Sequence, residues 1–377
     1  MPFYDIFMPM IETLKRTPLY DQHVALQGKI VNFSGWALPV YYSGIIDEHN
    51  WTRQSCGIFD VSHLGEIHVE GPGAFQFLQY LITNDMNKLS DGKMLYSLLC
   101  DEKGFTLDDI LIYQNRKDDY YIIVNASNID TDREAFERYA PDNVKISDLS
   151  AEMACVAVQG PNSEINLKKL FGWDLSTLLY YHFIRAEFHG NPVWISRSGY
   201  TGEDGFEIFS SNGDIRGIWE KLVKEGARLG IKPCGLGARN TLRLEAGNPL
   251  YGHELDRHTT PLDAGMSWAV SFDKGGFIGR DMLLLQKEKD TAHNRLIGFK
   301  MLDRAIARDD YPVYKEGRKI GRVTSGSFAP TVGSGIGMAY VEKAFSTLGS
   351  HIEIQIHNRL TPAEIVKRLF VASKHKK

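Results

Sequence analysis

Cysteine is scarce in this 377-residue sequence, with four residues at Cys56, Cys100, Cys155 and Cys234. No two of them form a C-x-x-C pair, and their wide spacing excludes both a zinc-ribbon site and a secreted disulfide scaffold, so they read as reduced thiols. An excess of either charge is also missing: charged residues make up 24% and the net charge is −4, without the basic surplus of a nucleic-acid binder. No nucleic-acid partner is expected. Long hydrophobic runs are absent as well. Met1 to Ile11 is apolar but contains Asp5 and lacks the basic start and length of a signal peptide or membrane span, so no membrane partner is expected. Met8 and Met10 are alternative starts. No arginine precedes Arg16, which argues against an organellar transit peptide and makes a bacterial cytoplasm the default location.

Familiar catalytic signatures are missing too. There is no Walker motif, and Gly333-Ser334-Gly335-Ile336-Gly337 has the wrong spacing for a dinucleotide fingerprint and reads as a barrel turn. Asp60, Ser62 and His63 are the residue types of a triad but are crowded within one turn, which suits local hydrogen bonding better than nucleophilic catalysis. The 12 histidines form no i, i+4 pair with acidic support, so no metal is expected.

The length suits two or three domains. Ile67–Pro72 and Val156–Pro161 share a pattern of apolar strand, Gly-Pro turn and apolar-periodic run, each predicting strand, turn and a helix with proline in its first turn. Between them, Met94–Cys100 and Thr106–Tyr113 flank a turn at Asp101–Gly104 and predict a hairpin, with Tyr120–Val124 as a third strand and a helix through Tyr139. A longer amphipathic helix is expected over Ile215–Leu229, and a short one over Ala238–Ala246, stopped by Gly247. From Arg295 onward the texture becomes short strands and Gly-rich turns, predicting a C-terminal antiparallel β-barrel or jelly roll. The fold class is therefore α+β, with antiparallel sheets and helices. Lys374–Lys377 reads as a frayed basic tail.

Two segments are the most informative: Gly199-Tyr200-Thr201-Gly202-Glu203-Asp204-Gly205-Phe206-Glu207, and Cys234-Gly235-Leu236-Gly237-Ala238-Arg239-Asn240-Thr241-Leu242-Arg243-Leu244-Glu245-Ala246-Gly247. Taken alone they are a Gly-rich turn entering a strand and a loop entering a helix. Together with Thr17-Pro18-Leu19-Tyr20, Phe33-Ser34-Gly35-Trp36, Phe59-Asp60-Val61-Ser62-His63, Leu107-Asp108-Asp109, Gln159-Gly160-Pro161 and Val323-Thr324-Ser325-Gly326, in this order, the sequence resembles the glycine cleavage T-protein (aminomethyltransferase) family.

The resemblance implies a three-domain folate-binding architecture. Domain 1 would comprise 1–67 plus 165–256, an inserted domain 2 would be 68–164, and domain 3 would be 257–377. It implies transfer of the one-carbon unit of aminomethyl-dihydrolipoyl H-protein to tetrahydrofolate, with ammonia released, and the lipoylated H-protein as partner. By the same resemblance Asp109 is the catalytic carboxylate, contacting the folate near its reacting nitrogens as a base or an orienting group, and Asp109, Glu207 and Arg239 share a folate cavity. Glu207 recognises the pterin, Tyr200 and Arg239 contact it, and Tyr96, Leu111, Tyr113, Asn125 and Tyr180 are further folate contacts. Strand alternation puts Asp108 on the face opposite Asp109, where it reads as a solvated acid. Three residues depart from the family pattern: Ala37, Phe105 and Asn240, the last standing where an aspartate usually follows the arginine. The alternatives on this scaffold are a folate-dependent demethylase and a non-catalytic folate-binding protein.

Overall fold

A computed structural model describes residues 13–290 and 292–376. The apolar N-terminal segment, with its alternative starts, and Lys377 lie outside the described residues. The chain forms two compact units: one holds the described residues up to Gly65, Leu149–Asn240 and the end from Lys374, the other Glu66–Asp148 and Thr241–Ser373.

The first unit is built on a six-stranded sheet in the order Phe183–Phe188, Asn191–Ser196, Gly205–Ser211, Met153–Gln159, Cys56–Asp60 and Ile231–Pro233. Its neighbours run antiparallel except for the final pair. Cys56–Asp60 is buried at every position, as a strand covered on both faces must be. The helix Asn212–Lys224 turns Ile215, Ile218, Trp219 and Leu222 onto Ile58, Val156, Val158 and Ile208. Ser211 caps it by accepting the N–H of Asp214 at 3.2 Å. The helix is shorter than its periodicity predicts. It stops at Lys224, and Gly226–Leu229 tightens into a 3₁₀ turn ended by left-handed Gly230.

Met153–Gln159 is the main departure from the expected domain limits. The sequence division puts it in the inserted stretch, but it pairs along its whole length with Gly205–Ser211 and over Val156–Gln159 with Gly57–Asp60, so the sheet of the first unit claims it.

The second unit contains a five-stranded sheet in the order Met94–Cys100, Thr106–Arg116, Asp119–Val124, Gly65–Glu70 and Lys145–Asp148. The helices Ala74–Leu81 and Ile129–Tyr139 cover it, burying Phe77, Leu78, Leu81 and Phe136 against Ile112 and Ile122. It also contains a closed six-stranded barrel, in the order Asn294–Met301, Ser334–Glu342, Arg318–Ala329, Pro312–Lys315, His351–Ile356 and Arg359–Val366. Closure leaves no unpaired edge. The segment leading to the barrel packs Leu255, Met266 and Ala269 on Leu98. From the same segment, the Lys274 ammonium donates to the carbonyls of Gln79, Ile82 and Asn84, past the end of Ala74–Leu81, and burial lowers its pKa to about 7.

The two Gly-Pro turns are built alike. Gly71 has φ +123° and Gly160 φ +128°, and a Cβ would meet the Asn143 carbonyl oxygen at 2.3 Å or that of Ser55 at 2.5 Å, so only glycine fits. The helices begin at Ala74 and Ser163, so each proline precedes its helix instead of sitting in the first turn. The basic tail also differs from its expected frayed state. Lys374 reaches Glu203 Oε1 at 2.9 Å, the His375 ring stacks on Tyr180 with centroids 4.1 Å apart, and Lys376 donates to the Ser176 carbonyl at 2.9 Å. Glu203 of the Gly-rich segment and Glu164 both pair with its lysines.

Candidate active site

In the first unit, Glu207 lies on the strand Gly205–Ser211 and is 7% exposed. The hydroxyl of Ser198 donates to its Oε2 at 2.5 Å, leaving Oε1 and a second lone pair on Oε2 for a ligand. Burial raises the Glu207 pKa, opposed by the Ser198 hydrogen bond and by the charge of Arg239. Arg239, on the helix Leu236–Glu245, lays its guanidinium 4.6 Å from the centroid of the Tyr200 ring. Burial, then the Glu207 charge, raises the Tyr180 pKa. Glu207, Arg239, Tyr200 and Tyr180 therefore form one set, three of them linked through the charge of Glu207. His63 adjoins it: burial and then Arg239 push its pKa down to about 4, so it is a neutral imidazole. Asp60 instead accepts from Thr17 at 2.6 Å and from the Ser62 amide at 2.9 Å, with His23 Nε2 at 2.8 Å. Ser62 donates to the Cys155 carbonyl, so the triad types serve hydrogen bonding.

Asn240, the departure from the family pattern that bears most on the arginine, is exposed, whereas Arg239 is held by Tyr200 and faces Glu207. The missing carboxylate is a change at the surface.

The second unit carries the other set. Asp109 sits on Thr106–Arg116 and pairs with Leu98, while Tyr96 pairs with Leu111 and Met94 with Tyr113, so Asp109, Leu111 and Tyr113 share a face. The Tyr96 hydroxyl donates to Asp109 Oδ2 at 2.9 Å and the Asn125 amide to Oδ1 at 2.9 Å. Tyr96 is itself stacked on exposed Trp268, with centroids 5.2 Å apart. Tyr113 is buried and forms part of the wall, whereas Tyr96, Asp109, Leu111 and Asn125 keep partial exposure. Burial, then the charge of Asp108, pushes the Asp109 pKa up to about 7. A carboxyl so held can both accept and release a proton near neutrality.

Asp108 corrects its reading as a solvated acid. It is 0% exposed, accepting the Asn125 backbone N–H at 3.0 Å, the Asn125 amide at 2.8 Å and the Asn128 amide at 2.7 Å. Alternation does turn it away from Asp109, but the other face of this sheet is covered by the helix Ile129–Tyr139 and offers no solvent.

The family profile described as "GCVT N-terminal domain" matches residues 19–274, and "Glycine cleavage T-protein C-terminal barrel domain" matches 294–371. This chain belongs to the glycine cleavage T-protein family. Its reaction is the aminomethyl transfer of glycine cleavage, and its fold is the three-domain α+β fold of that family with a closed C-terminal barrel. An aminomethyltransferase of Thermoanaerobacter pseudethanolicus is 44% identical over 373 residues, covering 97% of this chain and all of that one. The Bacillus subtilis aminomethyltransferase is 43% identical over 359 residues, 95% of this chain and 99% of its own. A crystal structure of glycine cleavage system aminomethyltransferase T from Bartonella henselae superposes with a TM-score of 0.91 at 32% identity, covering 97% of this chain and 100% of that one.

Among the described residues, no group of three or more His, Cys, Asp and Glu could hold a metal ion, and no helix is long and apolar enough to cross a membrane. Sequence reasoning missed Ser198 as the partner of Glu207, and missed Asn128 and Asp132. Asp132 does leave a signal: with Ile129 and Phe136 it falls at i, i+3 and i+7, the buried stripe of its helix, where an unpaired acid is out of place.

Proposed function

We propose that this member of the family uses tetrahydrofolate as its one-carbon acceptor and lipoylated H-protein as its donor, with Asp109 as the catalytic group. The overall change is balanced: the carbon of the S–CH2–NH2 group ends as a bridge between two folate nitrogens, which lose two hydrogens. Sulfur leaves as a thiol, and the amine as ammonia.

Glu207 accepts the two parallel donors on the pterin edge, and its remaining acceptor capacity beside the Ser198 hydroxyl supports this role. Tyr200 covers the ring, and Arg239, already stacked on Tyr200, presents a planar fork of donors to the ring oxygen. Tyr180 adjoins Glu207. Asp109 accepts a hydrogen bond from the reacting nitrogen, stabilises the positive charge that develops as that nitrogen attacks carbon, and takes its proton. Tyr96 and Asn125 hold the carboxylate in place, and Leu111 and Tyr113 complete the wall on its face.

The observation that carries the proposal is Asp109 itself. It is a half-buried carboxyl with one oriented donor on each oxygen and a pKa moved to about 7, where a base for a neutral-pH reaction belongs. Asp109→Asn preserves shape and hydrogen bonding but not charge. Turnover, followed as tetrahydrofolate-dependent ammonia release from aminomethylated H-protein, should fall about 10²- to 10⁴-fold with folate affinity largely kept. An Asp109→Asn enzyme of normal turnover would remove Asp109 from the mechanism.

A further inference from the structure

Asp108, Asp109 and Asp132 bring three carboxyl groups into one part of the second unit, and no lysine or arginine forms an ion pair with any of them among the described residues. Three charges cannot all persist there, so the cluster must retain hydrogen. The donors decide where. Asp108 receives three N–H groups, two from Asn125 and one from Asn128. Asp109 receives two donors, from Tyr96 and Asn125. Asp132 is 0% exposed and neither of its oxygens meets an N–H or hydroxyl donor. Its neighbour is Asp108: the Asp132 backbone N–H donates to the carbonyl of Asn128 at 2.8 Å, the Asn128 amide donates to Asp108 Oδ1 at 2.7 Å, and the Asp108 charge acts on Asp132.

A carboxylate with two buried, unpaired oxygens beside another carboxylate is untenable, but a carboxylic acid donating to that neighbour satisfies both. We propose that Asp132 is a positioning residue for the aminomethyl transfer: it stays protonated, donates its hydrogen to Asp108, and thereby keeps Asp108 ionised behind Asp109. The inference rests on the assignment of Asp109 as the catalytic base.

The device makes chemical sense. A fixed negative charge behind Asp109 raises the affinity of Asp109 for a proton, so the group becomes a real acceptor near neutrality instead of a spectator carboxylate. The amide of Asn125 donates to both Asp108 and Asp109, tying the two geometrically as well. Burial raises the Asp108 pKa as well, and the hydrogen bonds from Asp132, Asn125 and Asn128 oppose that rise, as an ionised Asp108 requires. The Asp132 pKa is pushed up to about 11 by burial and then by the Asp108 charge, and the Asp109 pKa to about 7 by burial and then the same charge. The other titratable groups facing the cluster are Tyr96, Tyr251 and Arg257. Tyr96 donates to Asp109, and burial and then the charge of Asp108 raise the Tyr251 pKa. Arg257 donates to Thr131 and opposes the Asp132 shift only weakly.

The experiment measures kcat against pH in the full-length enzyme, with Asp132→Ala, Asp132→Asn and Asp109→Asn beside the unmodified protein. Asp132→Ala removes the donor, so Asp108 takes up a proton and the charge behind Asp109 disappears. The acid limb should then move about 1–2 units toward lower pH, with a smaller plateau kcat because the base is weaker. Asp132→Asn still donates an N–H and should restore the midpoint. Equal shifts in both Asp132 variants, or no shift in either while Asp109→Asn is inactive, would overturn the positioning role and leave the assignment of Asp109 standing. An active Asp109→Asn enzyme sinks that assignment instead. Carboxyl titration by carbon-13 NMR of aspartate-labelled enzyme requires no variant to fold. Asp132 still protonated at pH 8 is the expected result, and Asp132 ionised at pH 8 overturns the proposal.

Discussion

Replacing Glu207 by glutamine tests the pterin site most directly, because the structure says how the amide would settle. In the native protein the Ser198 hydroxyl donates to Oε2, and it also lies 2.7 Å from the Ser196 hydroxyl. In Glu207→Gln the amide nitrogen can turn toward Ser198, whose hydroxyl then donates to Ser196 and accepts from the amide. One amide oxygen stays directed at the ligand. The variant therefore loses one acceptor and the negative charge, while its fold and shape persist. A hydrogen bond to a charged group contributes roughly 1.5–3 kcal/mol, so the dissociation constant for tetrahydrofolate should rise about 10- to 100-fold. Loss of the charge opposite Arg239 should add to this. Calorimetric titration gives the constant, and Ser198→Ala, alone and combined with Glu207→Gln, closes a double-mutant cycle. Coupling is expected, because the two side chains share one hydrogen bond. An unchanged dissociation constant would place pterin recognition elsewhere, and strict additivity would show that Ser198 does not set the carboxylate.

Two further outcomes follow from buried charge. The folded pKa of Asp109 lies above its unfolded value, so its contribution to stability is complete below the unfolded pKa and is lost as pH rises through about 7. Asp109→Asn should therefore melt roughly 2–4 °C above the native enzyme at pH 8 and show little difference at pH 4; equal melting curves at pH 8 would contradict the burial argument. Arg197, 1% exposed, donates to Asp204, Glu164 and the carbonyls of Leu175 and Leu178. Arg197→Met strands those partners and should cost about 3–5 kcal/mol, read by urea denaturation, where a loss below ~1 kcal/mol would refute it. Of the basic residues near the C-terminus, Arg368, Lys374 and Lys376 are already engaged by the Ala264 carbonyl, Glu203 and Glu164, so they are not expected to dock the carrier. The apparent KM for the carrier should therefore respond little to Arg368→Gln or Lys376→Gln, and a strong salt-dependent rise in either would restore that surface.

Local patterning determined a good deal. The expected hairpin became the strands Met94–Cys100 and Thr106–Arg116, and the C-terminal texture of short strands and Gly-rich turns became a closed barrel, because strand patterning and turn chemistry act over a few residues. The segments around Glu207 and Arg239 were legible as a candidate site only through their likeness to a family, and bare composition would not have singled them out. Other features needed the tertiary structure. Met153–Gln159 belongs to the first unit because of the strands on either side of it, which lie far away in sequence. The basic tail is ordered by acids at Glu164 and Glu203, which no local signal pairs with it. Asp108 looks like a solvated acid in the sequence and is a buried, triply hydrogen-bonded one in the fold. The reason is the same throughout. Secondary structure is dictated by neighbours along the chain, whereas whether a charged group meets water, a donor or another charge depends on residues that folding brings to it.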